Sequence, residues 1–332
     1  MLYFNNFRQG SRISPAIRTL SNRWARQRPI VRPFSLSRVL YDQGKPLPPT
    51  KSASALAPIG VAAANLAAAD PNIVPRPKIF EEFSLKGRVG IVSGGQRGLG
   101  LEMAMALCEA GATVYCFDLP PEPPKEWLNV QDYVKRIDNG SRLEYVCGNV
   151  TDQKGMWAKV EEIGDREKRM DICIAAAGIF RPGVDCLDYP EEQFKEVHNI
   201  NVNGALNTAQ AAGRQMVRFG NRGSIVLIAS ISGHLTNKGP EPIMSYNTSK
   251  SAVLQMGRNL ACELGAKNIR VNTISPGFIS TPMTASYITM IPGLVDKWST
   301  VSPLRRIGRA DELRGVATWL ASDASSFCSG TE

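Results

Sequence analysis

The sequence predicts an α/β fold in which helices cover both faces of a mostly parallel sheet. From about Phe83 to the end of the 332-residue chain, short apolar segments alternate with longer segments of helical periodicity. The short segments are continuously apolar, which is typical of strands buried on both faces. Because parallel strands need long crossovers and helices supply them, this alternation predicts a single doubly wound domain.

Six strands and several helices follow from these patterns in chain order. The predicted strands are Val89–Ser93, Thr113–Phe117, Leu143–Val146, Asp171–Ala176, Gly223–Ala229 and Arg270–Ile274. The predicted helices are Leu99–Ala110, a long helix within Phe194–Met216, Tyr246–Leu264 and Leu313–Ser322. A sheet of this kind usually closes with one more strand after the last helix. Since the sequence stops at Glu332, we expect that this strand is missing or that the sequence is a fragment.

The basic charge of the chain is concentrated before the predicted domain. The formal net charge is +9, but residues 1–41 hold eight Arg and no Lys, Asp or Glu, which leaves 31 basic against 30 acidic residues. An Arg-rich, Ser-containing and acid-free terminus is typical of a mitochondrial presequence, and Arg32–Ser35 resembles a matrix-processing site. We therefore expect a protein of the mitochondrial matrix, with a cytoplasmic protein that carries a basic tail as the alternative. The balanced charge of the remainder argues against a nucleic-acid partner.

Composition divides the rest of the chain into a linker and one domain. Residues 42–80 are rich in Pro and Ala and show little periodicity, which predicts a linker before a domain over residues 81–332. The seven Cys residues show no ligand spacing, so reduced thiols, most of them in the core, are favoured over disulfides or a metal site. No segment reaches about 18 strongly apolar residues, so neither a transmembrane helix nor a membrane partner is expected.

A glycine-rich turn joins the first predicted strand to the first predicted helix. Gly94, Gly98 and Gly100 form the pattern G-x-x-x-G-x-G, with Arg97 and Leu99 inside it. Glycine permits a tight turn and close approach of a pyrophosphate, and the helix N-terminus offers free N–H groups and positive potential. Such a turn alone is weak evidence. Here, however, strand, turn and helix stand in the order that a dinucleotide site requires.

The second predicted strand leads into a carboxylate at the position that selects the cofactor. Asp118 follows Gly100 by 18 residues, where an acidic residue hydrogen-bonds the ribose hydroxyls of NAD. The 2′-phosphate of NADP would meet a like charge at Asp118, although Arg97 could pair with that phosphate. These charges favour NAD over NADP.

Tyr246 and Lys250 open a long predicted helix and share one of its faces. A free phenol is a poor base at neutral pH, and a nearby ammonium should lower the pKa of Tyr246. Lys250 could also donate to the nicotinamide ribose, and Ser230 could hydrogen-bond a substrate oxygen. Asn201 could hold a water that relays protons through Lys250. A lone Tyr–Lys pair is weak evidence because such pairs are common on exposed helices, but the four groups together predict a site of proton transfer.

Together, these motifs resemble the short-chain dehydrogenase/reductase family along nearly the whole of residues 83–330. The matching positions are the Gly94–Gly100 turn, Asp118, Ala176-Ala177-Gly178, Asn201, Ser230, Tyr246 with Lys250, and Ser275-Pro276-Gly277. The resemblance implies a single Rossmann-type domain, usually in a homotetramer or homodimer. It also implies pro-S hydride transfer between C4 of a nicotinamide and a secondary alcohol or ketone.

The resemblance further implies where the cofactor is held. The implied nicotinamide contacts are Pro276, Gly277, Ile279 and Thr281, the implied adenine contacts are Asn149 and Val150, and Ala177 and Gly178 border the cofactor edge. Two positions depart from the family. Its Asn-Asn-Ala-Gly segment reads Ala175–Gly178, so we expect some loss of stabilisation in the central sheet and at the cofactor edge. Asn149 replaces the family's adenine-contacting acid, so we expect one weaker hydrogen bond to the base.

The loop between Ser230 and Tyr246 gives the clue to the substrate. It is long and rich in hydrogen-bonding groups, including His234 and Asn237. It resembles the corresponding segment of fungal arabinitol 2-dehydrogenases, mannitol 2-dehydrogenases and sorbose reductases, as does Phe83–Arg88. A polyol site needs many polar partners, because each unpaired hydroxyl costs affinity. The resemblance therefore implies a small-molecule substrate of the polyol or ketose class.

Two other functions remain open at this point. A mitochondrial 3-oxoacyl carrier-protein reductase would use basic surface residues such as Arg305, Arg306 and Arg309 to meet an acidic carrier. A non-catalytic member of the family would bind a dinucleotide as a sensor or scaffold. The expected loss of the last strand and the altered positions Ala175 and Ala176 are the two features that support this alternative.

Overall fold

Six strands form the central sheet, and all of its strand pairs are parallel. They are β1 (Val89–Ser93), β2 (Thr113–Asp118), β3 (Arg142–Cys147), β4 (Ile172–Ala175), β5 (Gly223–Ile228) and β6 (Ile269–Ile274). Their order across the sheet is β3-β2-β1-β4-β5-β6. The chain thus runs from β1 to one edge and then crosses to β4 and the other edge. This is a doubly wound Rossmann-type arrangement, and it confirms the predicted fold class.

The structure is a computed structural model, and it describes residues 58–181, 185–236 and 243–332. The predicted presequence over residues 1–41 and the first part of the predicted linker lie outside these residues. Inside the predicted linker the structure has helix α1 (Gly60–Ala69), none of whose residues is buried. The sequence pattern does not predict this helix because it has no apolar stripe. Its many Ala residues favour a helix by intrinsic propensity alone.

The remaining helices lie in the connections between the strands and after β6. They are α2 (Gly98–Glu109), α3 (Lys125–Ile137), α4 (Gln153–Glu167), α5 (Glu191–His198), α6 (Gly204–Phe219), α7 (Met244–Leu264), α8 (Pro282–Met290), α9 (Leu294–Val301) and α10 (Arg314–Ala321). Two buried apolar clusters flank the sheet. One joins it to α4, α6 and α7, and the other joins it to α2, α3 and α10. Helices therefore cover both faces, as the continuously apolar strands predict.

The long helix predicted within Phe194–Met216 is interrupted. Helix α5 ends at His198, a π-helical turn spans Asn199–Asn203, and α6 begins at Gly204. Apolar periodicity continues across the interruption, so the pattern cannot reveal the wider turn. Such π-helical turns occur often at functional sites because they reposition side chains.

Beyond α10, the chain returns to the edge of the sheet without forming a regular strand. The Gly330 N–H donates to the Val271 carbonyl at 2.7 Å, and the Thr331 carbonyl accepts from the Thr273 N–H at 3.0 Å. Among the described residues the main sheet therefore ends at β6, with this segment hydrogen-bonded along it. A separate small parallel pair joins β7 (Ile279–Ser280) to β8 (Gly308–Arg309).

Candidate active site

A cleft of about 640 Å³ opens at the carboxyl ends of the strands. It lies where the strand order reverses between β1 and β4, the place where doubly wound sheets bind ligands. Of the predicted site residues, all except Asn201 line the cleft: Gly94, Arg97, Gly98, Leu99, Gly100, Asp118, Asn149, Val150, Ala177, Gly178, Ser230, Tyr246, Lys250, Pro276, Gly277, Ile279 and Thr281. The fold thus brings these residues together, while their individual roles stay predictions.

The turn after β1 has the geometry of a pyrophosphate cradle. Gly94 has φ +68°, and a Cβ atom there would lie 2.8 Å from the Cα of Ala177. A Cβ atom on Gly100 would lie 2.1 Å from the Gly94 carbonyl oxygen. Arg97 precedes α2 in an extended conformation, and its side chain forms no capping hydrogen bond with the helix. The first N–H groups of α2 are therefore available to an anion, and the turn fits the predicted dinucleotide.

Asp118 ends β2 with its carboxylate held by backbone amides. Its Oδ2 accepts from the Gln96 N–H at 3.2 Å, and its Oδ1 accepts from the Leu119 N–H at 2.9 Å. These bonds fix the carboxylate beside the glycine turn. Arg97 is exposed on the same side. Both charges that bear on the choice between NAD and NADP thus border one part of the cleft.

Ser93 contributes contacts at the altered Ala175–Gly178 segment. The Ser93 carbonyl accepts from the Ala176 N–H at 3.1 Å, and the Ser93 hydroxyl accepts from the Ala177 N–H at 3.4 Å. The end of β1 is therefore tied to the segment after β4 through backbone amides. Because these hydrogen bonds use backbone N–H groups, they form without the Asn side chains that the family has in this segment.

Tyr246 and Ser230 meet at the inner end of the cleft. Ser230 follows β5, and its hydroxyl accepts from the Ser232 N–H at 3.1 Å. Burial raises the pKa of Tyr246 above its ordinary value, and the neighbouring Ser230 hydroxyl acts in the opposite direction. The direction differs from the sequence-based expectation. The loss of water around the phenol outweighs the groups that favour phenolate in the ligand-free protein.

Lys250 is buried one helical turn beyond Tyr246. Its Nζ donates to the Ile228 carbonyl at 2.7 Å and lies 5.6 Å from the centre of the Tyr246 ring. Burial lowers the pKa of Lys250 to about 8. In the ligand-free protein, Lys250 is therefore uncharged in a fraction of the molecules near neutral pH. This weakens the electrostatic effect by which its ammonium group would lower the pKa of the phenol.

Asn201 lies behind the cleft wall, in the π-helical turn. Its Oδ1 accepts from the Ile179 N–H at 2.8 Å, and its Nδ2 donates to the Ile179 carbonyl at 3.0 Å and to the Ser249 hydroxyl at 3.0 Å. The side chain thus ties the segment after β4 to α7. A Cβ atom on Gly178 would lie 3.3 Å from Asn201 Oδ1 and 3.6 Å from Lys250 Nζ, so these three residues are neighbours.

A second cavity of about 150 Å³, which we call the aromatic chamber, adjoins Ser230 and Tyr246. Its lining residues are Phe180, Ser230, Ile231, Ser232, Ile243, Tyr246, Gly277, Phe278, Met283, Thr284, Tyr287, Leu294 and Trp298. Sequence reasoning missed the aromatic residues here, because no motif marks them. They come from the segment after β4, the segment after β6, α8 and α9, which only the fold brings together.

The loop expected to recognise the substrate is described in part. Residues 237–242, including Asn237, lie outside the described residues. His234 lines neither cavity, and its ring is hydrogen-bonded to the Glu332 side chain.

The arginines considered for an acidic carrier are engaged within the chain. Arg306 is paired with Glu312 at 2.5 Å, and Arg309 is paired with Asp311 at 2.9 Å. Arg305 donates to the Thr300 carbonyl at 2.6 Å. Because local carboxylates offset two of these charges, the surface does not favour a carrier-docking role.

The remaining composition-based expectations have mixed outcomes. Cys108, Cys116 and Cys173 are buried, whereas Cys147, Cys186 and Cys262 are exposed, so the prediction of core thiols is wrong for the latter three. In the part of the chain that the structure describes, no group of His, Cys, Asp and Glu has the geometry of a metal site. No helix within the described ranges is long and apolar enough to cross a membrane.

Comparisons with known proteins identify the relatives of the chain. A family model described as enoyl-(acyl carrier protein) reductase matches residues 94–332. Sorbose reductase sou1 of Schizosaccharomyces pombe is 37% identical over 262 residues, which cover 75% of this chain and 94% of that protein. A probable NADP-dependent mannitol dehydrogenase of Yarrowia lipolytica is 34% identical over 267 residues, which cover 79% and 91%.

Solved structures agree with the sequence relatives. A short-chain type dehydrogenase/reductase from Mycobacterium marinum superposes with a TM-score of 0.70 at 33% identity, over 76% of this chain and 95% of that one. The similarity thus extends over nearly the whole of the related proteins and includes the cleft. This chain belongs to the short-chain dehydrogenase/reductase family and is an NAD(P)-dependent oxidoreductase that acts on CH–OH groups.

Proposed function

We propose that this chain interconverts a polyol and a ketose, with Tyr246 as general acid and base and NAD as the favoured cofactor. The observation that carries the proposal is the meeting of Ser230 and Tyr246, above buried Lys250, where the cleft adjoins the aromatic chamber. The polyol and ketose class is supported by the names of the sorbose reductase and mannitol dehydrogenase relatives. The preference for NAD is supported by the Asp118 carboxylate at the ribose edge.

The residues of the chain then divide the work of the reaction. The glycine turn and the N-terminus of α2 hold the pyrophosphate, and Asp118 accepts hydrogen bonds from ribose hydroxyls. When bound, the nicotinamide supplies or accepts the hydride. Tyr246 donates a proton to the ketone oxygen in reduction and accepts it from the hydroxyl in oxidation, while Ser230 donates a hydrogen bond to the same oxygen. Lys250 orients the nicotinamide ribose from beneath.

The protonation state of Tyr246 gives the two directions opposite pH dependence. Reduction needs the phenol and oxidation needs the phenolate. Burial raises the pKa of Tyr246, so kcat/KM for oxidation should still rise with pH above neutrality, whereas kcat/KM for reduction should stay level until the pH approaches this raised pKa and then fall. Parallel pH profiles in the two directions would contradict this assignment.

A substrate panel tests the proposed function. Cofactor absorbance is followed with arabinitol, mannitol, xylulose, ribulose and an acetoacetyl thioester, each with NAD(H) and NADP(H). We expect turnover of at least one polyol–ketose pair. Turnover of the thioester alone would replace the proposal with carrier-protein reduction. Dinucleotide binding without any turnover would indicate a sensor or scaffold.

The Tyr246→Phe variant tests the mechanism separately. It should retain dinucleotide binding and lose on the order of 10²–10⁴-fold in kcat, because it keeps the ring and removes the proton-transferring group. A variant that keeps the full rate would refute the assigned role of Tyr246.

We also propose that the chain works as a homodimer or homotetramer, as is usual in its family. Light scattering of the purified protein at concentrations used for assays measures the assembly. A monomer that is fully active would contradict this proposal.

A further inference from the structure

The aromatic chamber lies where one substituent of the reacting carbon must go. It shares Ser230 and Tyr246 with the cleft, and it also shares Gly277. The substrate oxygen that Ser230 and Tyr246 bind therefore stands at the junction of the two cavities. A secondary alcohol carries two carbon substituents, and the chamber is positioned to take one of them.

The chamber wall is mostly apolar. Phe180, Ile231, Ile243, Phe278, Leu294 and Trp298 line it. Leu294 is 3% exposed, and the rings of Phe278 and Trp298 stack with their centres 4.6 Å apart. The Phe180 ring packs edge-on against Tyr246 at 5.4 Å and against Tyr287 at 4.7 Å. These contacts join the wall to the phenol that acts on the substrate.

Among the described residues, the wall offers few partners for a substrate hydroxyl. Apart from Ser230 and Tyr246, the described hydroxyl-bearing residues that line it are Ser232, Thr284 and Tyr287. The Thr284 hydroxyl already donates to the Ile279 carbonyl at 2.8 Å. A hydroxyl group that leaves water for such a wall without a partner loses affinity, whereas a methyl group gains it.

We propose that the substrate substituent in the aromatic chamber is apolar. A polyol with a methyl group on the reacting carbon, a 1-deoxypolyol, is then preferred over its fully hydroxylated counterpart. This inference rests on the proposed polyol–ketose function and narrows its substrate class. One missing or added polar group of this kind changes kcat/KM by about tenfold or more, since the pocket cannot solvate it.

Two matched pairs of alcohols test the inference in the oxidation direction, where no sugar ring forms interfere. The first pair is arabinitol and 1-deoxyarabinitol, and the second is glycerol and propane-1,2-diol, in which one of the two hydroxymethyl groups on the reacting carbon becomes a methyl group. We expect kcat/KM to be at least about tenfold higher for the deoxygenated member of each pair. Equal values, or higher values for the hydroxylated members, would overturn the inference and leave the proposed function intact.

The same measurement separates the two proposals when polyols are poor substrates. If propane-1,2-diol is oxidised faster than glycerol while no polyol or ketose of the substrate panel reacts, the proposed function fails and the apolar chamber stands. If none of the four alcohols reacts, the inference fails, and the substrate panel decides the proposed function.

A pair of variants of nearly equal shape tests whether the chamber wall sets the preference. Ile231→Val shortens the wall residue and keeps it apolar, and Ile231→Thr has the same shape with one hydroxyl group. The ratio of kcat/KM for deoxygenated over hydroxylated substrate should fall at least about threefold in Ile231→Thr relative to Ile231→Val, because the added hydroxyl can pair with the substrate. An identical ratio in the two variants would assign the preference to another part of the protein and overturn the role of this wall.

Discussion

At the scale of single residues, burial sets the acid–base properties of the proposed catalytic pair. Tyr246 is half-buried and Lys250 is buried, and the partial loss of water moves the pKa of each in favour of its neutral form. The sequence spacing alone predicts the opposite change for Tyr246, because it shows a cation near a phenol but not the loss of water around both. In the ligand-free protein, the chain therefore holds a protonated phenol above a lysine that loses its proton near pH 8.

Burial of Lys250 predicts a pH-dependent stability. Its pKa is about 8 in the folded protein against an ordinary 10.5, so the unfolded chain binds more protons between these values. We therefore compare the free energy of unfolding of the wild type with that of Lys250→Met. The difference, wild type minus variant, should rise by up to about 3 kcal/mol as the pH increases from 8 to 10.5.

Denaturant unfolding without cofactor, at several pH values, measures this difference. Lys297→Met, at an exposed position of α9, is the control and should show a flat difference over the same range. A flat difference for Lys250→Met would contradict the burial of a titrating lysine.

Asp118 carries the prediction for cofactor choice. Asp118→Ser removes the charge that repels a 2′-phosphate and an acceptor for the ribose hydroxyls of NAD. We expect the ratio of kcat/KM with NAD to kcat/KM with NADP to fall by about tenfold or more, since a hydrogen bond to a charged group is lost. Asp132→Ser, on the exposed face of α3, is the control and should leave the ratio unchanged. A wild-type preference for NADP would show that Arg97 outweighs Asp118.

At the scale of elements, the turn between β1 and α2 depends on close backbone packing. Gly94→Ala would add a Cβ atom 2.8 Å from Ala177 at a positive φ, so we expect a loss of about 1–3 kcal/mol in the free energy of unfolding and weaker dinucleotide binding. Gly315→Ala is the matched control, because its Cβ atom meets nothing within 4 Å in α10. It should stabilise the protein by about 0.5–1 kcal/mol. Equal effects of the two changes would argue against the tight turn.

The π-helical turn between α5 and α6 is the element whose role the sequence pattern conceals. It places Asn201 so that both polar ends of its amide are used, toward Ile179 and Ser249. The sequence identifies Asn201 as a site residue through the family resemblance, but its position behind the cleft wall follows from the turn. Through these bonds Asn201 fixes the segment that also carries Gly178 and Phe180.

At the scale of the whole molecule, the cellular location of the protein is predicted from the segment before the domain. We propose that residues 1–41 direct the protein to the mitochondrial matrix, because they hold eight Arg and no acidic residue. N-terminal sequencing of the protein from its native source should then begin near Ser35. An intact Met1 in protein from the soluble cytosol would contradict this proposal.

The sequence by itself determined the fold class and most of the cleft. Continuously apolar strands require cover on both faces, and a glycine turn between strand and helix is a local feature of neighbouring residues. Because parallel strands end at one edge, the residues that follow them, such as Asp118, Gly178 and Ser230, had to meet there.

Only the tertiary structure decided the chemistry next to the reacting oxygen. Four aromatic residues of the chamber wall lie far apart in the sequence and share no motif, namely Phe180, Phe278, Tyr287 and Trp298. They form a common wall only because α8 and α9 pack beside Tyr246 in the folded protein. The same holds for the pKa values of Tyr246 and Lys250, because burial is a property of the packed chain. Local patterns record what each segment forms, whereas solvation and pocket shape depend on which distant segments meet.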